Sequence, residues 1–321
     1  MSATPLAFLT SAGKRAAATV PLTWFTLGIS ILVCVIVAVL LWVGVARSKA
    51  HGGAAETVAT PLARQDQSGL RWITVGLMLS AVPLVMTLVW TMAALAQVAV
   101  PPDNPGLVLD VTAHQWWWEV RYEGALPSDS FATANEIHIP VGIPVLVRLH
   151  GQDVIHSFWV PKLSGKTDVI PGQTNQSWLQ AAQPGRYRGQ CSEYCGAQHA
   201  KMAFEVVAES PAAFARWRQA QLQTAPPPRS PEQTRGLALV EYRCGLCHAV
   251  RGTNASSYYG PDLTHLMSRR MIAAGTLPNN PGSLTGWIQA PQGIKPGSLM
   301  PNQHLSGPQL GDIRAYLETL Q

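Results

Sequence analysis

Two stretches of this chain, residues 22–46 (LTWFTLGISILVCVIVAVLLWVGVA) and residues 72–100 (WITVGLMLSAVPLVMTLVWTMAALAQVAV), contain no charged side chain. At about 1.5 Å of rise per residue, either run as a helix crosses the ~30 Å hydrocarbon core of a bilayer. A soluble domain rarely buries helices of that length, so a two-helix transmembrane hairpin is expected. The composition agrees: of 321 residues, 47 % are hydrophobic and only 13 % charged, more apolar than an ordinary soluble protein. Pro83, inside the second run, is tolerable in a membrane helix because neighbours can satisfy a freed carbonyl. Between the runs lie Arg47, Lys49, Arg64 and Arg71 against Glu56 and Asp66, which places this loop inside and both ends of the hairpin outside. Lys14 and Arg15 argue weakly against that orientation, or for a targeting segment, but no signal-peptide cleavage pattern accompanies them.

The net charge of +5 does not mark a nucleic-acid binder. Residues 1–101 hold six Lys/Arg against two Asp/Glu, leaving 17 against 16 for the remainder. The excess therefore belongs to the membrane-flanking part, and no basic stripe is left for nucleic acid.

After residue 100 the pattern changes. Apolar segments of period two occur at 107–111, 137–141, 145–149 and 203–207, separated by turn signals such as Pro171-Gly172 and Pro184-Gly185, and this predicts a β-sandwich. The stretch TAPPPRSP, 224–231, reads as an extended linker. Ser230 is placed to cap a helix starting at Pro231, and Leu310, Ile313, Leu317 and Leu320 follow helical spacing. The predicted organisation is a membrane hairpin over 1–100, a sandwich over 101–223, a linker over 224–236 and a helical domain over 237–321. Fully extended, the linker would reach about 40 Å.

Two motifs carry chemistry. The first is CSEYCGAQHAKM, 191–202, which brings Cys191, Cys195, His199 and Met202 together in a chain of five cysteines, with His156 upstream in DVIHSFWVP. A disulfide between the two cysteines is one reading in an extracytoplasmic compartment. Thiolates combined with imidazoles and a thioether instead suit copper, and two thiolates can bridge two ions so that one electron is shared. His138 and His150 read as structural, and Met78, Met86 and Met92 as helix packing. The second motif is Cys244, Cys247 and His248 in YRCGLCHAV, the pattern of covalent c-type haem attachment. Zinc or thioredoxin-like chemistry would need a further ligand pair or a βαβ pattern. Met300, on a Pro/Gly-rich loop in KPGSLMPN, is the expected sixth iron ligand; Met267, Met271 and His265 are rivals in DLTHLMSRRM, which reads as a packing helix.

Residues 22–218 resemble subunit II of cytochrome c oxidase, on HQWWW at 114–118, DVIHSFWVP at 153–161, KTDVIPG at 166–172 and the whole CSEYCG-x-x-H-x-x-M run. Residues 231–321 resemble a class I cytochrome c, with Gly260-Pro261 matching the loop that orients the haem histidine. The resemblance implies a cupredoxin fold followed by an all-α cytochrome domain, as in a caa-type oxidase of a bacterium. It further implies a CuA centre of two copper ions bridged by Cys191 and Cys195, with His156, His199, Met202 and the Glu193 carbonyl as further ligands. The Glu193 carboxylate would touch a magnesium shared with subunit I, and Trp116 would be where electrons reach the copper. Haem c would be attached at Cys244 and Cys247, with His248 and Met300 on its iron. The implied partners are subunits I and III, a cytochrome c or bc-type complex as donor, and the inner membrane, with both outer domains on the periplasmic face. Oxygen reduction to water and proton translocation would belong to subunit I. A CuA-bearing subunit of a nitric oxide reductase is the alternative. Two positions depart from the family pattern: Gln173 stands where an arginine is common, and Gly69 where a glutamate is common, with Asp66 a weak substitute.

Overall fold

The computed structural model describes residues 6–50, 67–101 and 103–321. The chain forms two compact units, one of residues 18–100 and one of residues 1–17 together with 101–321.

In the first unit, α1 (Lys14–Ala50) and α2 (Gln67–Ala99) are the two helices long and apolar enough to cross a membrane. Leu40, Leu41 and Trp72 are at least 65 % exposed, an arrangement that water would penalise and lipid would not. Polar side chains in these runs bond their own helix: Thr26 Oγ1 donates to the Leu22 carbonyl at 3.0 Å and Thr87 Oγ1 to that of Pro83 at 2.7 Å. Phe25 and Trp90 meet across the two helices, ring centroids 5.4 Å apart. Met78, Met86 and Met92 are exposed rather than packed. Glu56, Arg64 and Asp66 lie outside the described residues.

The second unit begins with a β-sandwich. One sheet has the order β3 (Phe131–Ala134), β2 (Trp117–Tyr122), β1 (Leu107–His114), β5 (Val145–Gly151), β8 (Thr174–Leu179). The other runs β4 (Glu136–Pro140), β10 (Ala203–Glu209), β9 (Gly185–Cys191), β6 (His156–Trp159), β7 (Thr167–Val169). The period-two pattern does what alternation dictates: Leu107, Leu109, Val111 and Ala113 point into the core from β1, and Val145, Val147 and Leu149 do so from the parallel β5. Trp118, Tyr122, Phe158 and Met202 fill the space between the sheets. Helix α3 (Pro211–Gln221), capped by Ser210, closes one end with Phe214 and Trp217.

The N-terminal tail belongs to this sandwich. Ala12 N–H donates to the Lys162 carbonyl at 2.7 Å, Ala182 N–H donates back to the Ala12 carbonyl at 2.8 Å, and Gly13 bridges Ala181. The Arg15 guanidinium donates to Ser164 Oγ and Ser177 Oγ, each at 2.8 Å, and lies over the Trp178 ring. The structure therefore gives Arg15 a packing role that its position before an apolar run had not suggested.

The C-terminal part is helical. Helix α4 (Pro231–Leu239), capped by Ser230, continues into a wider turn over Val240–Cys244. After it come the ribbon β11 (Met271–Ile272) and β12 (Leu277–Pro278), then α5 (Pro281–Gln289), α6 (Pro291–Ile294) and α7 (Gly307–Leu317). Helix α4 packs across α7, with Arg235 on Asp312 at 2.7 Å over a core of Val240, Ile313 and Tyr316. Three expectations need correction. The linker does not run to 236, because α4 starts at Pro231 and is part of the domain's helical core. Nor does it hang free, since the Ala225 N–H donates to the Arg251 carbonyl at 2.9 Å and Ala225 packs on that core. Residues 262–271 form no helix beyond one turn at Leu266–Ser268. The main chain is committed elsewhere: the Met267 N–H, which a helix would direct at residue 263, donates to the Leu320 carbonyl at 2.7 Å, and the Leu266 and Arg269 carbonyls accept from Asn279 Nδ2, each at 2.8 Å.

Candidate metal and haem sites

The first motif is the connection between β9 and β10. Cys191 ends β9, its N–H donates to the Met202 carbonyl at 3.0 Å, and the Ser192 N–H donates to the Ser157 carbonyl on β6 at 3.1 Å. This lacing gathers ligand types from three elements. The Cys191 and Cys195 sulfurs are 3.8 Å apart and unbonded, so the pair is not a disulfide here. His156 Nδ1 lies 3.8 Å from Cys191 Sγ, and His199 Nδ1 3.6 Å from Cys195 Sγ. Met202 Sδ is 3.8 Å from Cys195 Sγ, and the Glu193 carbonyl 3.3 Å from Cys191 Sγ. Cys191, Cys195, His156 and Met202 are at most 3 % exposed. Two buried thiols with a buried imidazole and thioether, and with the half-buried His199 and Glu193 carbonyl beside them, each 3–4 Å from a cysteine sulfur, fit soft transition-metal ions such as copper. The Glu193 side chain points outward, 3.7 Å from Lys166 Nζ.

Asp153 completes the site, and sequence reasoning had given it no role. Its Oδ1 accepts from His156 Nε2–H at 2.8 Å and from the Val154 N–H at 2.7 Å; Oδ2 accepts from the Gln115 N–H at 2.6 Å. Burial would raise the Asp153 carboxyl, but these bonds outweigh it and hold it below its ordinary value. Burial likewise works to lower His156, and the bond to Asp153 prevails and raises it. With Nε2–H committed to Asp153, Nδ1 presents its lone pair to the sulfurs, the usual way an outer carboxylate fixes a ligand's tautomer. The only clue in the sequence is an acid three residues before a histidine.

Trp116 lies over the same loop. Its Nε1–H donates to the Cys195 carbonyl at 2.9 Å, and Gln115 Nε2–H donates to the same oxygen at 2.8 Å. Gly196 sits beneath the indole at φ +110°, where a Cβ would come within 3.1 Å of the ring, so both conformation and space call for glycine. Trp118 is core, edge-on to His156 and Phe158, whereas Trp117 stacks on His114 at 4.4 Å.

In the second motif, His248 Nδ1–H donates to the Pro261 carbonyl at 2.7 Å, which leaves Nε2 free to ligate. Gly260 allows the approach: a Cβ there would stand 2.7 Å from His248 Cε1. Cys244 and Cys247 are unpaired in the preceding turn. A histidine locked in one tautomer beside two free thiols fits a covalently held haem. Among the rivals for its sixth position, His265 has both ring nitrogens occupied, by the Gln321 and Gln223 carbonyls, and Met267 packs in the core. Met300 is half-buried on a loop pinned by Gln292, whose Nε2–H donates to the Met300 carbonyl at 2.7 Å.

The C-terminal domain rests directly on the sandwich. Lys295, 3 % exposed, donates from Nζ to the Trp116 carbonyl at 2.8 Å. Gln198 Nε2–H donates to the Pro296 carbonyl at 2.7 Å, Lys201 Nζ–H to that of Ile294, and the Ala203 N–H to that of Ala274 at 3.1 Å. Farther along the seam, the Arg270 N–H donates to Glu136 and its guanidinium pairs with Glu205 at 3.4 Å. Burial, with Lys201 nearby, pushes the Lys295 ammonium down to about 7.

Two apolar helices, a cupredoxin-like sandwich with a buried thiol–imidazole cluster and a helical CxxCH domain together fit the class of proteins that carry copper and haem on a membrane anchor. Comparison with known proteins identifies the family. Residues 107–210 match "Cytochrome C oxidase subunit II, periplasmic domain", and residues 233–321 match "Cytochrome c". The cytochrome c oxidase subunit 2 of Alkalihalophilus pseudofirmus is 38 % identical over 68 % of this chain and 62 % of its own length. That of Bacillus sp. (strain PS3) is 32 % identical over 76 % of this chain and 71 % of its own. The crystallised periplasmic domain of subunit II from Bradyrhizobium japonicum is 32 % identical, covering 38 % of this chain and 96 % of that one, with a TM-score of 0.35. The chain belongs to the cytochrome c oxidase subunit 2 family and carries a fused cytochrome c domain.

Proposed function

We propose that this chain receives electrons for a caa-type haem–copper oxidase, taking them from an outer donor such as a cytochrome c or bc-type complex. It would pass them to a catalytic subunit I, assembled with a subunit III, where oxygen is reduced to water and protons are translocated. The observation that carries this reading is the pairing, within one compact unit, of a buried His156–Cys191–Cys195 cluster, flanked by Met202 and the half-buried His199, with a tautomer-locked CxxCH histidine. When bound, two copper ions and a haem c would supply reversible one-electron chemistry at the two sites.

The chain's residues divide the work. Cys191, Cys195, His156, His199, Met202 and the Glu193 carbonyl hold the copper, and the outward Glu193 carboxylate is available to a magnesium shared with subunit I. Asp153 fixes the His156 ring, so that the donor set needs little rearrangement when the charge of the site changes. Trp116, hydrogen-bonded to the Cys195 carbonyl, is where electrons reach the site. Cys244 and Cys247 would hold the haem, Pro261 aims His248, and Met300 would be the second iron ligand, a His/Met pair that would raise the potential into a range useful for relaying electrons. For orientation, the excess of Arg47, Lys49 and Arg71 over acidic residues between the two apolar runs supports a cytoplasmic loop and both domains on the outer face of the bacterial cell membrane.

Purification of the intact complex with an optical and metal inventory tests the reading. Low-spin and high-spin haem a, haem c and copper beyond the pair are expected. Haem b with non-haem iron would instead identify a nitric oxide reductase.

A further inference from the structure

We propose that Lys295 is a positioning residue that fixes the cytochrome domain against Trp116 and so sets the route by which electrons cross between the two sites. The inference rests on the relay function proposed above. Lys295 is locked at both ends: its N–H donates to the Pro291 carbonyl at 2.7 Å, its carbonyl accepts from the Ser298 N–H at 3.1 Å, and Nζ reaches the Trp116 carbonyl at 2.8 Å. The loop that follows is rigid. Gln292 Oε1 accepts from the Gly297 N–H at 2.9 Å, while its Nε2–H donates to the Ser298 and Met300 carbonyls, both at 2.7 Å. A side chain at Gly297 would begin 3.8 Å from the Trp116 ring, so this loop covers the indole. A continuous framework thus joins Met300, through Gln292 and Lys295, to Trp116, whose Nε1–H donates to the Cys195 carbonyl at 2.9 Å.

Stability alone does not explain a lysine here. A buried lysine whose hydrogen-bonding partners are main-chain carbonyls, Trp116 at 2.8 Å and Ala273 at 3.4 Å, is desolvated with no ion-pair partner within 4 Å among the described residues. A methionine would fill the same space without that cost. What lysine adds is a directed bond to one oxygen, the carbonyl of the residue where electrons arrive. In the step it positions, one electron leaves the haem c iron and one arrives at the copper pair; no bond or proton changes hands.

Two measurements on the full chain test this, with Arg270→Met as the control because it loosens the same seam away from Trp116. In the metal-free chain, hydroxyl-radical footprinting should find Trp116 protected in the wild type, several-fold more oxidised in Lys295→Met, and protected in Lys295→Arg and Arg270→Met. In the purified complex, photoinduced injection of an electron into haem c should show transfer to copper slowed roughly tenfold or more in Lys295→Met, restored in large part by Lys295→Arg and unchanged in Arg270→Met. Wild-type protection and rate in Lys295→Met, or equal effects in Arg270→Met, would overturn the proposal. Should Lys295→Met fail to assemble, Lys295→Gln keeps a polar side chain too short to reach the Trp116 carbonyl; slowed transfer with Trp116 more oxidised supports the proposal, and wild-type rate and protection overturn it. Absence of copper or haem c spectra in the wild type would count against the relay itself, not against Lys295.

Discussion

A residue's chemistry is readable from sequence when its partners are near it in the chain, and the copper loop shows where that stops. Cys191, Cys195, His199 and Met202 announce themselves by spacing, because one hairpin connection holds all four. Lys295 does not, since its meaning lies in a contact to Trp116 made across the fold, and Asp153, although only three residues from His156, is also held by the Gln115 N–H from a distant part of the chain. Replacing Cys191 by Ser should abolish the seven-line mixed-valence copper signal in electron paramagnetic resonance and leave the haem c spectrum unchanged; survival of that signal would remove Cys191 from the bridge. His138 offers a prediction independent of metal. It stacks on Trp217 at 4.0 Å between Glu136, at 2.9 Å, and Glu209, at 3.5 Å. Burial would lower its imidazole, but the two carboxylates outweigh burial and raise it, while both carboxyls are held low. The stabilisation from His138 is therefore complete below its unfolded pKa of about 6.5 and is lost as pH rises through the raised folded value. Thermal unfolding against pH should show a decline on the order of 1 kcal/mol across that window, and His138→Gln should flatten it.

At the scale of elements, period and capping were reliable guides. The alternation in β1 and β5 and the Ser230 cap of α4 lie in the sequence as they do in the fold, whereas β10 is buried on both faces rather than alternating. Residues 262–271 misled because their apolar spacing mimics a helix, whereas their main-chain groups bond distant partners, the Met267 N–H to the Leu320 carbonyl and the Leu266 and Arg269 carbonyls to Asn279. That outcome bears on the iron ligand, since it sets Met271 in a strand and Met267 in the core, leaving Met300 on its braced loop. Met300→Leu should lower the haem c potential and open the iron to carbon monoxide, because a thioether favours the reduced metal. Redox titration and carbon monoxide difference spectra check both, and an unchanged potential would return the assignment to Met267 or Met271.

For the whole molecule, the sequence showed three parts and a proline-rich join but not how the outer two meet, because no local pattern encodes a seam assembled from Gln198, Lys201, Ala203 and the 294–297 loop. Covalent attachment and this docking together make delivery intramolecular. Transfer from haem c to copper should be first order, with a rate constant unaffected by dilution of the enzyme; a rate that rose with concentration would mean that one molecule's haem serves another's copper. Trp116→Ala should slow the step while both metal spectra persist. The tail at residues 12–16 carries a different consequence. It completes the sheet edge beside Gln180–Ala182 and plugs Ser164 and Ser177 with Arg15, although the two helices separate it in the chain from everything it touches. The sandwich is thus finished by residues that precede the first apolar run in the chain, so its last edge is supplied from the far side of both helices in sequence. A fragment beginning at residue 101 would fold with a raw edge and two unplugged serines.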